Sequence, residues 1–219
     1  MFQPILNTSI LGRAQKKGKV TFEFINLRDF GEGRHQVVDG RPYGGGAGMV
    51  LRADILTRAL KSIIDPTKLK ISRLKFKIIL MSASGTQFKQ KNAQNLSKLD
   101  HLVIICGHYE GVDQRFIDKY VDEEYSIGNF VLTGGEIPAM IIADSIVRLI
   151  PGVLEKPEAT ENESFTKNLL EGPQYTRPDE FEGLKVPEIL ISGHHEKIEE
   201  WRKEQSLKKT KKVRPDLLK

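Results

Sequence analysis

The feature that most constrains the fold of this chain is a set of short apolar runs rich in β-forming residues. Most of the runs are followed by glycine or serine and then by a helix-like pattern. Because strands that alternate with helices are typical of α/β domains, the sequence predicts a mainly parallel sheet with flanking helices. The predicted strands are residues 20–26, 76–81, 102–106 and 130–132. The predicted helices are residues 52–63, 112–120 and 136–150.

The last of these helices has the clearest pattern. Glu136 lies in its first turn and Pro138 near its start, which is where both residue types are favoured. An apolar stripe that should face the core runs through Ile141, Ile142, Ile146 and Leu149.

The character of the chain changes after residue 150. Prolines and glycines interrupt a polar segment, and a highly charged helical pattern follows from about Glu188. We therefore predict a large domain in residues 1–150, a linker in residues 151–174 and a small helical domain in residues 175–219. Within the last, Ile198, Trp201 and Leu207 are the expected core positions.

Positive charge is concentrated at the C-terminal end. The formal net charge is +5, and residues 200–219 carry eight Lys/Arg against three Asp/Glu, so they hold the whole excess. A basic segment suits a polyanion such as RNA or DNA, although a solvated helix face has the same composition. Composition alone leaves both interpretations open.

Several classes of protein are excluded. The longest apolar stretch, residues 137–150, is interrupted by Asp144 and Arg148, so no membrane span is expected, and the N-terminus shows no export signal. We therefore expect a cytoplasmic protein. The single cysteine, Cys106, excludes an internal disulfide, and we interpret it as a small buried hydrophobe. His194 and His195 are adjacent, which is poor geometry for one zinc ion, so no metal site is predicted.

Three glycine-bearing loops follow apolar runs, in residues 81–85, 106–111 and 126–136. Loops at the carboxyl ends of parallel strands converge into a crevice, and glycines let the backbone approach a ligand there. None has the pattern of a dinucleotide fingerprint or a P-loop, so the pattern favours another nucleotide-like cofactor. The alternative is that each glycine only forms a turn. A fourth loop, residues 41–49, precedes a predicted helix and could cradle a phosphate or act as a mobile linker.

Taken together, these loops resemble a known family. Residues 41–49, 106–113, 123–140, 151–154, 175–178 and 206–215 look like successive motifs of bacterial tRNA (guanine-N1)-methyltransferases of the SPOUT superfamily. The resemblance implies a SPOUT-type α/β fold, in which helices flank a parallel sheet and the chain forms a deep trefoil knot, plus a small C-terminal helical domain. It implies a homodimer with shared active sites that methylates N1 of guanosine 37 in tRNA, with S-adenosylmethionine as cofactor. It also makes Mg²⁺ a candidate for an assisting ion.

Site residues follow from matching positions in the motifs. The resemblance implies that S-adenosylmethionine contacts Gly107, Ile127, Gly128, Asn129, Phe130, Val131 and Leu132. It implies that the same pocket is lined by Ser82, Ala83, Glu110, Gly134 and Gly135. The family's acidic general base falls on Glu163, and its essential arginine falls on Arg148. From the residues alone, Glu163 could equally be a solvated carboxylate, and Arg148 could be stabilising a helix C-terminus.

The chain departs from the family pattern at three places. Glu163 stands where the family usually has aspartate, and Ala83 replaces a common proline. Family members also have a strand and a Leu-Phe-Pro segment before the position that matches Met1, so we expect the sheet to lack that strand. Two alternatives remain, namely another SPOUT RNA methyltransferase and a non-catalytic RNA-binding protein.

Overall fold

A computed structural model describes residues 1–63, 75–156, 160 and 163–219. These residues form two compact units, Met1–Glu155 and Lys156–Lys219. Among the described residues, no helix has both the length and the apolar character needed to cross a lipid bilayer.

The first unit contains α-helices, β-strands and one 3₁₀ turn at Leu27–Phe30. Its helices are α1 (Phe2–Leu6), α2 (Ser9–Lys16), α3 (Ala53–Ile63), α4 (Gln90–Leu96), α5 (Gln114–Tyr120) and α6 (Glu136–Val147). Its strands are β1 (Asp39–Gly40), β2 (Val50–Leu51), β3 (Phe76–Gln87), β4 (His101–Cys106) and β5 (Glu123–Ser126).

The main sheet has the order β4-β3-β5, and both pairings are parallel. The first half of β3 is a nearly continuous apolar run, as expected for a central strand covered on both faces. Met81 pairs with Cys106 on one side and with Tyr125 on the other. The register then shifts, and Tyr125 is also opposite Thr86. The intervening residues 82–85 therefore project from the carboxyl end of the sheet.

Helices cover both faces of this sheet because successive side chains of β3 point in opposite directions. Ile78 and Leu80 pack with residues of α3 and α5, including the fully buried Ile55. Ile79 and Met81 pack with residues of α4 and α6 on the other face. A third cluster joins α1 and α2 to the C-terminal half of α6. The predicted parallel sheet with flanking helices is confirmed.

The second unit is built around one long helix. Its elements are β6 (Glu180–Phe181), β7 (Leu184–Lys185), α7 (Glu188–Ile191), α8 (His195–Val213) and a 3₁₀ turn at Pro215–Leu218. Strands β6 and β7 form a short antiparallel hairpin. Ile198 and Thr210 are the buried residues of α8.

Most predicted elements are present. The helix predictions correspond to α3, α5 and α6, and two strand predictions correspond to β3 and β4. The strand predictions for residues 20–26 and 130–132 are wrong. In the first segment, Val20 and Phe22 pack against the cluster of α1 and α2. The second segment is an exposed loop between β5 and α6.

Two predicted core positions are also wrong. Ile141 is 47% exposed, because α6 turns its neighbours Ile142 and Ile146 towards the sheet. Leu207 is 38% exposed, and the nearby Thr210 takes the buried position on α8. A hydrophobicity pattern alone assigns a leucine rather than a threonine to the inner face of a helix.

Candidate functional site

Because the three strands are parallel, three segments lie at the carboxyl end of the sheet, namely the register shift within β3 and the loops that follow β4 and β5. They comprise residues 82–85, 107–111 and 127–135. The first two meet at the strand ends, where a Cβ placed on Gly107 would lie 3.1 Å from the carbonyl oxygen of Met81. Ser82 is half-buried and Ala83 is exposed beside this contact. These segments therefore lie side by side at the carboxyl end of the parallel sheet, where ligand crevices of α/β folds are found, and we call this region the sheet-edge crevice.

The second and third loops are joined through their backbones. The Gly135 N–H donates to the carbonyl oxygen of Gly107 over 2.8 Å, and His108 forms an isolated antiparallel bridge with Gly134. A Cβ on Gly135 would lie 2.7 Å from both the Cα of Cys106 and the backbone nitrogen of Gly107. Because backbone atoms have no room to move aside here, only glycine fits this crossing.

A side-chain pair strengthens the same crossing. The imidazole Nε2 of His108 is 2.9 Å from Oε1 of Glu136, the first residue of α6. Gly134 lies directly beneath the pair, since its added Cβ would be 2.6 Å from the same imidazole nitrogen. His108 was not singled out from the sequence, because the antiparallel contact that brings it to Glu136 has no local sequence signal.

The thiol of Cys106, at the base of this crossing, is not a nucleophile. Burial, reinforced by the negative charge of Glu136, raises the pKa of Cys106 to about 12. The reactive species of a cysteine is the thiolate, which is scarce at neutral pH when the pKa is so high. Cys106 therefore acts as a small packing residue, as its place at the end of an apolar strand predicts.

The third loop presents apolar side chains to solvent. It follows Ser126, a buried residue whose hydroxyl donates to the carbonyl oxygen of Gly128 over 2.9 Å. Phe130 is 55% exposed and Val131 is 84% exposed, and Leu132 is exposed as well. Exposed apolar side chains next to backbone polar groups suit a ligand with a flat apolar part and hydrogen-bonding edges.

The loop of residues 41–49 also reaches the crevice. The Glu110 N–H donates to the carbonyl oxygen of Met49 over 2.9 Å, and the Leu51 N–H donates to that of Gly111 over 2.9 Å. The Glu110 side chain packs over Gly48, where an added Cβ would be 2.3 Å from its carboxylate. The fourth glycine loop is thus connected to the second.

The two residues expected to act in catalysis lie in different units. Arg148 is half-buried at the C-cap of α6, where its N–H donates to the carbonyl oxygen of Asp144. Glu163 is half-buried in the second unit, at the start of a turn in which its carbonyl oxygen accepts the Thr166 N–H over 3.2 Å. Two other acids of the same segment, Glu158 and Glu161, are the next candidates for the base from the sequence, and they lie outside the described residues.

The basic segment is exposed along the last turns of α8. Lys208, Lys209, Lys211 and Lys212 all face solvent. Arg214, just after the helix, makes two hydrogen bonds of 2.8 and 2.7 Å to Asp216, which lower the pKa of that carboxyl. Within the described ranges, no group of three or more His, Cys, Asp or Glu side chains is arranged to hold a metal ion.

Comparison with known proteins decides the family. A family model described as tRNA (Guanine-1)-methyltransferase TrmD matches residues 1–219. The chain belongs to this family. The predicted resemblance is therefore confirmed over the whole sequence.

Three curated relatives from this methyltransferase family align with the whole of this chain. A protein from Halalkalibacterium halodurans is 51% identical over 218 residues, covering 100% of this chain and 87% of that protein. Relatives from Bacillus subtilis and Dictyoglomus turgidum are each 50% identical, and both alignments include 100% of this chain. They include 88% of the Bacillus subtilis protein and 85% of the Dictyoglomus turgidum protein. All three are named tRNA (guanine-N(1)-)-methyltransferase.

The residues that the family resemblance assigns to the cofactor lie in the segments at the carboxyl end of the sheet. The structure brings Gly107, Gly134 and Gly135 into direct contact and places Ser82 and Ala83 at the neighbouring strand end. Residues 127–132 form the exposed loop beside them. Glu110 is connected to the group through the loop of residues 41–49.

Proposed function

We propose that this protein transfers a methyl group from S-adenosylmethionine to N1 of guanosine 37 in tRNA. The observation that carries the proposal is the identity of about 50% with curated tRNA (guanine-N(1)-)-methyltransferases over the whole chain. The sheet-edge crevice supports it, because a nucleoside-like cofactor can be recognised there by backbone groups.

The chemistry of the crevice fits this cofactor. Backbone N–H and C=O groups of residues 127–135 can pair with the edge of an adenine, and Phe130, Val131 and Leu132 offer apolar surface to its ring. We assign cofactor contacts to Gly107 and residues 127–132, with Ser82, Ala83, Glu110, Gly134 and Gly135 lining the same pocket. S-adenosylmethionine supplies a methyl group on a sulfonium sulfur, which leaves as a neutral thioether when the new bond forms.

Glu163 is assigned as the general base. N1 of guanine carries a proton, and its electron pair can attack the methyl carbon only as that proton leaves. The Glu163 carboxylate accepts the proton and becomes a neutral carboxylic acid. Glutamate is one methylene longer than the aspartate usual in this family, so its carboxylate has a longer reach from the backbone.

Arg148 is assigned to the substrate oxygen. Removal of the N1 proton shifts negative charge onto O6 of guanine, and a guanidinium that donates to O6 stabilises this charge as it develops. The arginine carries a permanent positive charge, so it can play this role without a change of protonation.

We assign a SPOUT-type trefoil knot to the first unit, supported by the close crossing of Gly107 and Gly135. We also propose a cytoplasmic homodimer with active sites shared between subunits. Its support is the exposed apolar surface of Ile137 and Ile141 on α6, since such patches are typical of interfaces.

The second unit is proposed to bind tRNA. Its four exposed lysines at the end of α8 can neutralise phosphates, whereas residues 156–207 before them carry twelve Asp/Glu against seven Lys/Arg. This uneven charge would direct RNA to the end of the helix. Mg²⁺ is not assigned a step, because the described carboxylates and histidines form no cluster that fits a resident ion.

The proposal is tested by incubating the protein with unmodified tRNA and labelled S-adenosylmethionine, followed by nucleoside analysis. We expect label in 1-methylguanosine, and none in a tRNA whose guanosine 37 has been replaced. Label in another nucleoside would indicate a different RNA methyltransferase. Binding of tRNA without any methyl transfer or cofactor binding would indicate a non-catalytic RNA-binding protein.

A further inference from the structure

One face of α8 holds the turn that begins at Glu163. Ser206 and Thr210 are four residues apart on α8, so their side chains lie along one side of the helix, and Arg214 follows at the same spacing just after its end. Thr210 is completely buried and Ser206 is half-buried. We call these three side chains the inner stripe of α8.

The two hydroxyls of the inner stripe bind both polar groups of the Leu170 backbone. The Leu170 N–H donates to Oγ1 of Thr210 over 2.8 Å, and the hydroxyl of Ser206 donates to the Leu170 carbonyl oxygen over 2.5 Å. The Thr210 hydroxyl itself donates to the Ser206 carbonyl oxygen over 2.8 Å. A hydroxyl can donate once and accept twice, so this arrangement satisfies all of these groups.

The segment between Glu163 and Leu170 is a closed turn. The Phe165 N–H donates to the Leu169 carbonyl oxygen over 2.7 Å. The Glu171 N–H donates to the hydroxyl of Ser164, the residue next to Glu163, over 3.0 Å. Fixing Leu170 on α8 therefore also fixes the backbone that carries Glu163.

The turn has an unusual backbone. Phe165 has a φ of 76° and Asn168 a φ of 55°, a left-handed region that residues other than glycine seldom occupy. Such conformations persist when surrounding contacts determine them, and they concentrate at functional sites. The guanidinium of Arg214, the third member of the inner stripe, lies 5.9 Å from the centre of the Phe165 ring.

The same helix presents its basic residues on other faces. Lys208, Lys209, Lys211 and Lys212 flank the buried Thr210 and are exposed. Phosphates that bind these lysines would leave the hydroxyls of the inner stripe engaged with the turn. One helix can therefore contact RNA and support the turn simultaneously.

We propose that Thr210 and Ser206 are positioning residues that hold Glu163 in place for removal of the N1 proton. This inference rests on the proposed function of Glu163 as the base. A base must be held within hydrogen-bonding reach of its proton, and small displacements of a reacting group lower rates steeply. Because the Leu170 backbone engages both hydroxyls, their effect on the reaction should pass through Glu163.

The test compares Thr210→Val with Thr210→Ser in single-turnover methylation of tRNA. Valine keeps the shape of threonine but loses both hydrogen bonds, so the rate should fall by about tenfold or more, with the KM for S-adenosylmethionine unchanged. Serine keeps the hydroxyl and should recover most of the rate. Thr176→Val, an exposed site in the same unit, is the matched control. A rate for Thr210→Val equal to that of the parent would overturn the proposal.

A double variant separates positioning from general damage. In a Glu163→Gln background, Thr210→Val should cause no further loss, because two residues that act through one group are not additive. A further tenfold loss in that background would also overturn the proposal. Folding of Thr210→Val is checked by the fluorescence of Trp201, the single tryptophan of the chain. If this variant does not fold, Ser206→Ala replaces it, with the same expected results.

The role of Glu163 as base and the role of Thr210 and Ser206 in positioning it are separated by the single variants. If Glu163→Gln methylates as fast as the parent, the assigned base is wrong and the positioning role is wrong with it. If Glu163→Gln is slow while both Thr210→Val and Ser206→Ala retain the parent rate, the base assignment stands and the positioning role alone is refuted.

Discussion

The side chains of His108 and Glu136 join two loops of the sheet-edge crevice through a hydrogen bond of 2.9 Å between Nε2 and Oε1. The imidazole follows β4 and the carboxylate starts α6, so the bond bridges the loops that we assign to the cofactor. His108→Ala should weaken binding of S-adenosylmethionine by roughly fivefold, the value of about one net hydrogen bond. Isothermal titration measures this, with the exposed His35→Ala as the matched control. Equal affinities in all three proteins would show that the bond does not support the crevice.

Gly135 should not tolerate any side chain. In Gly135→Ala the new Cβ would strike backbone atoms of Cys106 and Gly107 at 2.7 Å, so the first unit should lose about 1–3 kcal/mol of stability and most of its cofactor affinity. Gly40→Ala is the matched control, since an added Cβ there meets no atom within 4 Å. Thermal unfolding with and without cofactor compares the two. A Gly135→Ala protein as stable as Gly40→Ala would refute the close crossing.

Cys106 should be almost unreactive in the folded protein. A pKa of about 12, against an ordinary value of 9.0, leaves roughly a thousandfold less thiolate near pH 8. Alkylation at pH 8 should therefore be slow in the native protein and fast in denaturant, and the native rate should increase as the pH rises towards 12. Since this is the only cysteine, the modified fraction reports on it directly. Equal native and denatured rates would contradict the raised pKa.

The exposed lysines of α8 should set the salt dependence of tRNA binding. Removing one lysine–phosphate interaction should reduce the slope of log affinity against log salt by about one. Replacing Lys208, Lys209, Lys211 and Lys212 with glutamine should therefore flatten the slope and leave cofactor binding unchanged. Lys197→Gln, exposed near the start of the same helix, is the matched control. If the slope is the same in every variant, these lysines form only a solvated face.

The sequence was most informative where local patterns determine structure. The apolar runs in β3 and β4 and the helix start at Glu136 predicted the sheet and its covering helices, because strand burial and helix caps are encoded locally. The glycine loops after β4 and β5 were also located, but the loop predicted for residues 81–85 is wrong, because these residues belong to β3. The specific cofactor came only from the resemblance of several motifs to one family.

What the sequence did not reveal depends on contacts between distant residues. The pairing of His108 with Glu136 and the hold of Thr210 on Leu170 span 28 and 40 positions. β5, whose sequence is polar at its start, was missed because its register against β3 comes from the fold. Leu207 was predicted in the core, and Thr210 was overlooked. Burial of the Thr210 hydroxyl depends on its hydrogen bonds, which the hydrophobicity pattern does not show.

The most direct test of the proposed mechanism is the single-turnover rate of methyl transfer by Glu163→Gln, measured with saturating cofactor and tRNA. Glutamine keeps the shape of the side chain but cannot accept the N1 proton, so the rate should fall by on the order of 10²-fold or more, with both substrates still bound. Glu163→Asp, which restores the usual family residue, should be clearly faster than Glu163→Gln. A Glu163→Gln rate equal to that of the parent would contradict the mechanism and place the base elsewhere.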